Sequence, residues 1–446
     1  MVFLYSKFMK QLKKGSSKLL NAWASYDWAN SVYSLVIASA IFPIYYGQLF
    51  KDKGSLNIEV FGTTLKSTAL ISFTTAAAFL MVAFFSPLLS GIADYAGNKK
   101  SFMRFFCYLG AMSTIGLCWF DLDNIYFSLA CYFFGLIGFW GSLVFYNSYL
   151  PDIAFPEQQD RVSAKGYSMG YLGSVVLLII NLAMVMKPGL FGIEGDEGEA
   201  MKKAMRYSFI SVGVWWIIFS QYAFYYLPKG TNGNGNKVHS AIIFNGFREL
   251  KKVWFLLEEN LRLKRYLLSF FVYSMAVQTV MLVATYFGEQ EIDWESDEER
   301  TMGLIISILV IQLVAVLGAV ITSRASEKFG NIKTLIVINS IWMVICICAY
   351  FVTLPIHFYI TAGFVGLVMG GIQSLSRSTY SKFLPETKDT ASFFSFYDVA
   401  EKIGIVIGMV LYGLIDQLTG SMRNSIVFLA VFFIAGVFLL IRVPKK

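Results

Sequence analysis

Charge is scarce in this chain of 446 residues: Asp, Glu, Lys and Arg make up 15% of it, against roughly 25% in soluble domains. That deficit excludes an ordinary soluble globular protein. Two histidines, His239 and His357, cannot supply a His-based metal site or a catalytic triad. The five cysteines, Cys107, Cys118, Cys131, Cys346 and Cys348, lack metal-ligand and disulfide spacing. All five lie in apolar runs, where a thiol is a small buried hydrophobe. No Gly-x4-Gly-Lys-Ser/Thr loop is present to cradle nucleotide phosphates, so ATP is not the expected energy source and no cofactor is expected. A lipid-modifying membrane enzyme would need a nucleophile with its base, or a metal cluster, and the sequence offers neither. The first 22 residues have no small-residue cleavage site. Their five lysines, mixed with Phe3, Leu4, Phe8, Met9 and Leu12, predict a basic interfacial helix instead of a signal peptide.

What the chain has in abundance is apolar length. It is 56% hydrophobic and 17% aromatic, with a mean hydropathy of +0.59. Spans of about 20 apolar residues can be laid down twelve times, near 24–50, 67–89, 104–120, 125–149, 164–186, 207–227, 266–288, 302–322, 334–353, 356–376, 392–415 and 424–443. Runs of this length predict helices, because membrane strands are ~10 residues long and alternate in polarity. The expected fold class is all-α integral membrane with twelve transmembrane helices. The net charge of +8 does not indicate nucleic acid, because its distribution is one-sided. With the N-terminus inside, 27 of the 37 Lys and Arg fall in cytoplasmic segments and nine on the other side, leaving Lys402 within a span. The loop after span seven, Glu289 to Arg300, holds seven acids and one Arg. This bias orients the chain in a bilayer with both termini cytoplasmic.

Two landmarks occur twice and in the same order. Ser90 to Lys100 and Ser323 to Lys333 both read Ser, three residues, an acid, two residues, then Gly-Asn-x-Lys, 233 residues apart. Pro156 to Ser163 and Pro385 to Ser392 share Pro-Glu-x-x-Asp-x-x-Ser at an offset of 229. The chain therefore reads as two six-helix halves, 1–228 and 265–446, joined by a linker, 229–264. The linker holds the Gly- and Asn-rich stretch Gly230 to Asn236 and an amphipathic surface helix through Asn260. Duplicated halves of this kind build secondary transporters, with the solute site between them. Span ten is rich in small residues, with Gly363, Gly366, Gly370 and Gly371, which permit close helix approach for static packing or for rocking.

The first landmark sits at the cytoplasmic turns between spans two and three and between eight and nine. Gly97 and Gly330 allow the tight backbone of a short turn. Asp94 and Glu327 can each hold the N-terminus of a neighbouring helix through its dipole. With Lys100 and Lys333 they form a candidate cytoplasmic gate; the alternative is a plain connecting turn. The pattern resembles the cytoplasmic loop signature of the major facilitator superfamily. It departs at Ser90 and Ser323, where that family has Gly, and at Tyr95, where it has a basic residue that Lys328 keeps in the second copy. Further stretches narrow the resemblance: Tyr26 to Tyr33, Leu150–Pro151–Asp152–Ile153–Ala154, Gly170–Tyr171–Leu172–Gly173, Gly370 to Ser378, and Phe393 to Lys402. Together these are similar to the vacuole-effluxer branch of that superfamily, which includes bacterial members of unassigned substrate. The resemblance implies a twelve-helix transporter in a bacterial inner membrane; fungal relatives export amino acids from the vacuole.

Candidate site residues follow from the cost of burying charge. Lys402 lies ten residues past the start of span eleven, about 15 Å along a helix, near the middle of a hydrocarbon core of about 30 Å. Asp398 is one turn earlier and Glu401 is adjacent. Charges at that depth face an aqueous cavity or one another. Asp398 and Lys402 pair at i, i+4, which leaves Glu401 as a proton carrier; the alternative is a structural ion pair. On span one, Tyr26, Asn30 and Tyr33 share a stripe with Asp27 beside it, unless Asp27 caps the helix at the interface. Gln278 in span seven and Gln373 and Arg377 in span ten complete a set of polar groups from spans one, seven, ten and eleven. Asn147 and Asn181 read as inter-helix hydrogen bonds. A site holding both signs of charge suits a small zwitterion moved by alternating access, with H+ as the coupling ion. The rival is a non-transporting receptor or lipid-binding scaffold on the same fold.

Overall fold

The computed structural model describes residues 12–55, 57–230 and 242–444. Twelve long helices follow in chain order: α1 (Ser17–Lys53), α2 (Ser67–Ala96), α3 (Lys99–Gly116), α4 (Ile125–Asn147), α5 (Pro156–Met186), α6 (Glu197–Tyr226), α7 (Leu261–Glu291), α8 (Asp297–Phe329), α9 (Asn331–Cys348), α10 (Pro355–Phe383), α11 (Thr390–Thr419) and α12 (Met422–Ile441). Each falls on one of the twelve expected segments. All but α6 and α11 are long and apolar enough to cross a membrane by length and composition. Those two are 30-residue helices, α6 packed on α1 and α3, α11 on α2 and α7.

Most helices outrun the apolar segments that announce them. Hydropathy marks only the part inside ~30 Å of hydrocarbon, while a 30-residue helix is about 45 Å long. Helix ends coincide with residues that cannot continue: Gly54, Gly97 and Gly420 stand in left-handed backbone, and Pro156 and Pro355 open α5 and α10. Within α1, Tyr33–Ile41 is wound as a π-helix. Pro43 lies two residues beyond it, and its missing N–H and bulky ring disrupt the ordinary hydrogen-bond ladder one turn back.

One feature departs from an all-helical reading. Strands β1 (Asn57–Val60) and β2 (Thr63–Lys66) form an antiparallel hairpin in the first loop. Its two-residue turn places Phe61 at φ 52° and Gly62 at φ 71°, both left-handed, which matches the twist of the strands. The linker helix, Ile242–Glu259, is present and packs on α2. Residues 1–11 of the basic segment expected over the first 22, and all of the Gly- and Asn-rich stretch but Gly230, lie outside the described residues; from Ser17 the segment is already the start of α1.

The helices form two apolar cores. One joins α1 to α6 through side chains such as Trp23, Phe42, Phe145 and Trp216; the other joins α7 to α12 through Phe270, Trp342 and Phe433. Across the join, α2 packs on α11, and α5 packs on α8 and α10. Since α2 corresponds to α8 in the repeat and α5 to α11, the α2–α11 and α5–α8 contacts are symmetry equivalents. Gly15, Arg442, the linker helix and the repeated turns gather on one face. There Gly15 N–H donates to the Ile153 carbonyl (2.7 Å), Lys100 N–H to that of Lys229 (3.1 Å), and the Arg265 side chain to that of Arg442 (2.8 Å).

Glycines set the closest helix approach, that of α8 with α10. A Cβ on Gly366 would lie 2.5 Å from the Ile311 carbonyl oxygen, and one on Gly370 would press on that of Ala315. Gly363, on the same helix, faces open space. Gly366→Leu and Gly370→Leu should therefore lower the melting temperature of the purified protein, read by fluorescence-detected gel filtration, while Gly363→Leu leaves it unchanged. Equal melting of all three would mean that the close approach does not stabilise the fold.

Candidate functional site

Arg377 is the largest buried charge, 1% exposed, and it reaches from α10 into the other half. Its Nε donates to Ser163 Oγ (2.9 Å); Nη1 donates to Asp27 Oδ2 (3.3 Å) and Asn147 Oδ1 (3.1 Å); Nη2 donates to Asp27 Oδ2 (3.3 Å) and the Ser163 carbonyl (3.0 Å). All five N–H donors of the guanidinium are thus engaged. The Trp23 and Tyr167 rings flank it at 4.7 and 4.1 Å. Tyr146 Oη also donates to Asp27 Oδ2 (2.7 Å). Gly166 leaves room for the pair: a Cβ there would collide with the Asp27 carboxylate. This is a clamp between halves, with no donor left over for a solute.

On α11, Lys402 lies 3.0 Å from Asp398 Oδ1 and 2.8 Å from Glu401 Oε2, and its ammonium sits 3.6 Å from the centre of the Trp140 ring on α4. Gln278 Nε2 donates to Glu401 Oε1 (2.8 Å). Glu401 opens onto a small cavity of about 20 Å³ at the join, whose walls include Tyr167 of α5, Phe270 and Gln278 of α7, Gln373 of α10 and Tyr397 of α11. Tyr171 Oη donates to Gln373 Oε1 (2.5 Å), tying α5 to α10 above it. A larger cleft of about 580 Å³ lies at the opposite face, within the first half, near Trp119 and Tyr207. Within it Arg206 pairs with Asp121 (3.3 Å), and Lys202 with Asp52 (3.0 Å) and Glu199 (2.6 Å).

On the face that carries Gly15 and Arg442, the two kinds of repeated landmark interlock crosswise. Asp94, at the end of α2, accepts from the N–H groups of Ala391 (3.3 Å) and Ser392 (2.7 Å) and from Ser392 Oγ (2.7 Å), so it holds the N-terminus of α11. In the other pairing the acid comes from the second landmark. Asp160 on α5 accepts from Ser326 Oγ (2.8 Å), Asn331 Nδ2 (2.9 Å) and Lys382 Nζ (2.5 Å). Lys99, 2% exposed, donates to Asp152, to the Ser148 carbonyl (3.0 Å) and to Thr390 Oγ1 (2.9 Å). Lys252 of the linker helix pairs with Asp389 (2.8 Å) beside the same helix start.

Several expected residues sit elsewhere. Glu327 is exposed and makes no hydrogen bond or ion pair among the described residues, because Ser326, one position earlier, is the residue turned toward α5. Lys333 is likewise exposed, and Lys100 donates to the Leu227 carbonyl within its own half (2.7 Å). Gly97 and Gly330 both adopt positive φ, 64° and 85°, as the short turns require. Asp27 is not a helix cap: α1 begins ten residues earlier and buries it. Tyr33 packs against Phe139 (5.1 Å) and Trp216 (5.8 Å) inside the first half, away from the cavity, and Asn30 is buried with its Nδ2 unbonded. Asn181 accepts from Ser211 of α6 (2.9 Å), an inter-helix bond, whereas Asn147 serves Arg377. Of the polar set, Gln278, Gln373 and Glu401 meet at the cavity, Asp398 and Lys402 stand behind Glu401, and Asp27 and Arg377 lie beyond Tyr167. Missed by the sequence reading were Lys99, Asp152, Asp160, Ser163, Lys382 and Trp140. The second landmark contained the signal for Asp160 and Ser163, since its acid and serine recur as Asp389 and Ser392.

Twelve helices in two related halves, joined through α2–α11 and α5–α8 around a polar cavity, define a transporter of the major facilitator type. The solved proton:xylose symporter XylE shares this fold at a TM-score of 0.70 and 12% identity, over 96% of this chain and 95% of that one. The transporter FucP in its outward conformation does so at 0.66 and 12%, over 96% and 99%. Over residues 15–446 the chain belongs to the family described as Vacuole effluxer Atg22 like. It is 30% identical over 441 residues to the uncharacterised MFS-type transporter YxiO of Bacillus subtilis (strain 168), covering 98% of this chain and 97% of that protein. It is 22% identical to autophagy-related protein 22-1 of Phaeosphaeria nodorum, covering 93% and 88%.

The interlock and the clamp make separate predictions. In a cysteine-free background, Ser395→Cys places a thiol in the fully buried start of α11. Adding Asp94→Ala should speed its labelling several-fold, whereas Glu327→Gln should not; equal rates in the two would remove the asymmetry. Asp27→Ala leaves the Arg377 guanidinium buried without its counter-ion and should cost about 3–5 kcal/mol, seen as loss of monodisperse protein on mild heating.

Proposed function

We propose that the protein is a secondary active transporter for a small polar solute, with amino acids or similar zwitterions favoured, moved by alternating access and driven by H+. It sits in the bacterial inner membrane, with both termini and the linker helix cytoplasmic. The observation that carries this reading is Glu401: it opens onto the cavity at the join of the halves, and Gln278 and Lys402 hold its two oxygens. The Glu401 carboxylate at the cavity offers a partner for the ammonium end of a zwitterion, and the surrounding Tyr and Phe rings exclude water. The same charge asymmetry that orients the chain puts the crosswise interlocks on the cytoplasmic side. With those interlocks made, that side is closed, and the solute reaches the cavity from the other. Parting α2 from α11 and α5 from α8 and α10 is the movement that opens it inward. Proton-driven transport is in keeping with the fold shared with XylE, itself a proton:xylose symporter.

The test is uptake by the reconstituted full-length protein in liposomes under an imposed pH gradient, with a panel of radiolabelled amino acids as probes. At least one should accumulate, and a protonophore should abolish the accumulation. Glu401→Gln and Lys402→Ala should insert normally and lose uphill uptake, while Tyr33→Phe, remote from the cavity, should keep it. No gradient-dependent movement of any probe, with binding retained, would instead indicate a receptor on the same fold.

A further inference from the structure

The two acids of α11 are not equivalent, and the difference assigns them separate tasks. Asp398, Glu401 and Lys402 form one buried group of two carboxylates and one ammonium, which carries a net charge of −1 when all are ionised. Glu401 is fully bonded: Oε1 accepts from Gln278 and Oε2 from Lys402, at 2.8 Å each. Asp398 is not. Its Oδ1 lies 3.0 Å from the Lys402 ammonium, but its Oδ2 is buried without a hydrogen-bond partner among the described residues.

We propose that Asp398, not Glu401, carries the coupling proton, and that Glu401 is kept ionised to meet the solute. This rests on the proton-driven reading given above. An ionised carboxylate oxygen buried with no donor is costly. One proton on Oδ2 neutralises the whole group and leaves the Oδ1–Lys402 contact in place. Protonating Glu401 would instead weaken the charge-assisted bonds that Gln278 and Lys402 already make to it. The step is a simple transfer: an O–H bond forms on Oδ2 with a proton from water on one side, and the same bond breaks to return it to water on the other. The neutral group is the one that passes cheaply through the closed, low-dielectric intermediate.

Helices α2, α4, α7 and α12 and the linker helix pack against α11. From these, Trp140 of α4 faces Lys402 and Gln278 of α7 faces Glu401, while Lys252 of the linker is paired with Asp389 nine residues before Asp398. The charged groups that act on Asp398 are Lys402 and Glu401. Trp140 belongs to the opposite half, so separating the halves removes one wall of the group and opens it to water.

Infrared difference spectroscopy between two pH values, on the purified full-length protein, reads this directly. The carbonyl stretch of a protonated carboxylic acid should appear as the pH falls, disappear in Asp398→Asn and persist in Glu401→Gln. In the wild type, 13C-aspartate should shift the band and 13C-glutamate should not, and the aspartate band should persist in Asp94→Asn, which separates Asp398 from the other buried aspartate of the join even if Asp398→Asn fails to fold. A band that follows glutamate, or no protonated carboxyl at any pH where the protein stays folded, would overturn the assignment. If the band follows aspartate but liposomes show no pH-driven uptake, the proton-driven reading is overturned and the coupling role falls with it.

Discussion

A guanidinium buried in apolar surroundings has few stable arrangements, because every N–H left without an acceptor costs free energy and the charge itself needs an offset. Arg377 meets these demands only by reaching across the join. Its acceptors come from α1, α4 and α5, so three helices of the first half must be placed correctly for one side chain of the second. Gly166 has no side chain because the Asp27 carboxylate occupies that space. Trp23 and Tyr146 stack at 4.5 Å behind the pair, and Tyr167 separates it from the solute cavity. The neighbouring features are shaped by that single requirement.

The interlock between the repeated landmarks shows what duplication leaves behind. Each second landmark meets the first landmark of the other half, Ser392 with Asp94 and Asp160 with Ser326 and Asn331. The two contacts are equivalent in position but reversed in chemistry, with the acid supplied once by the turn and once by the helix start. Either arrangement pairs a carboxylate with donors from the opposite half, and one such carboxylate per contact suffices. A second acid facing Asp160 would bring two negative charges together. Glu327 turned to solvent is the outcome that avoids this.

Function then depends on how the buried charges are divided. Arg377 is saturated and holds the halves; Lys402 is shared between two acids and the Trp140 ring. A cation held by a π face from the other half is more easily released than one enclosed by five hydrogen bonds. The α11 group is accordingly the part of the join suited to change during transport, and the Arg377 clamp the part suited to set which state is favoured.

Much of this was legible in the residues. Twelve apolar segments, the doubled landmarks and the depth of Asp398, Glu401 and Lys402 follow from length and spacing, because a helix has a fixed rise and a bilayer a fixed thickness. Asp94 as the anchor of a neighbouring helix was likewise readable from its place in the turn. Spacing along one helix fixes which residues share a face, but not which other helix that face will meet. It therefore did not distinguish Arg377 as a clamp from Arg377 as a solute ligand, nor reveal that Trp140 covers Lys402. It made Glu327 the equal of Asp94, and it left Asp398 paired and Glu401 free, whereas the packing of α7 against α11 brings Gln278 to Glu401 and leaves Asp398 Oδ2 bare. Those assignments depend on contacts between helices more than a hundred residues apart, and they exist only once the two halves have closed on each other.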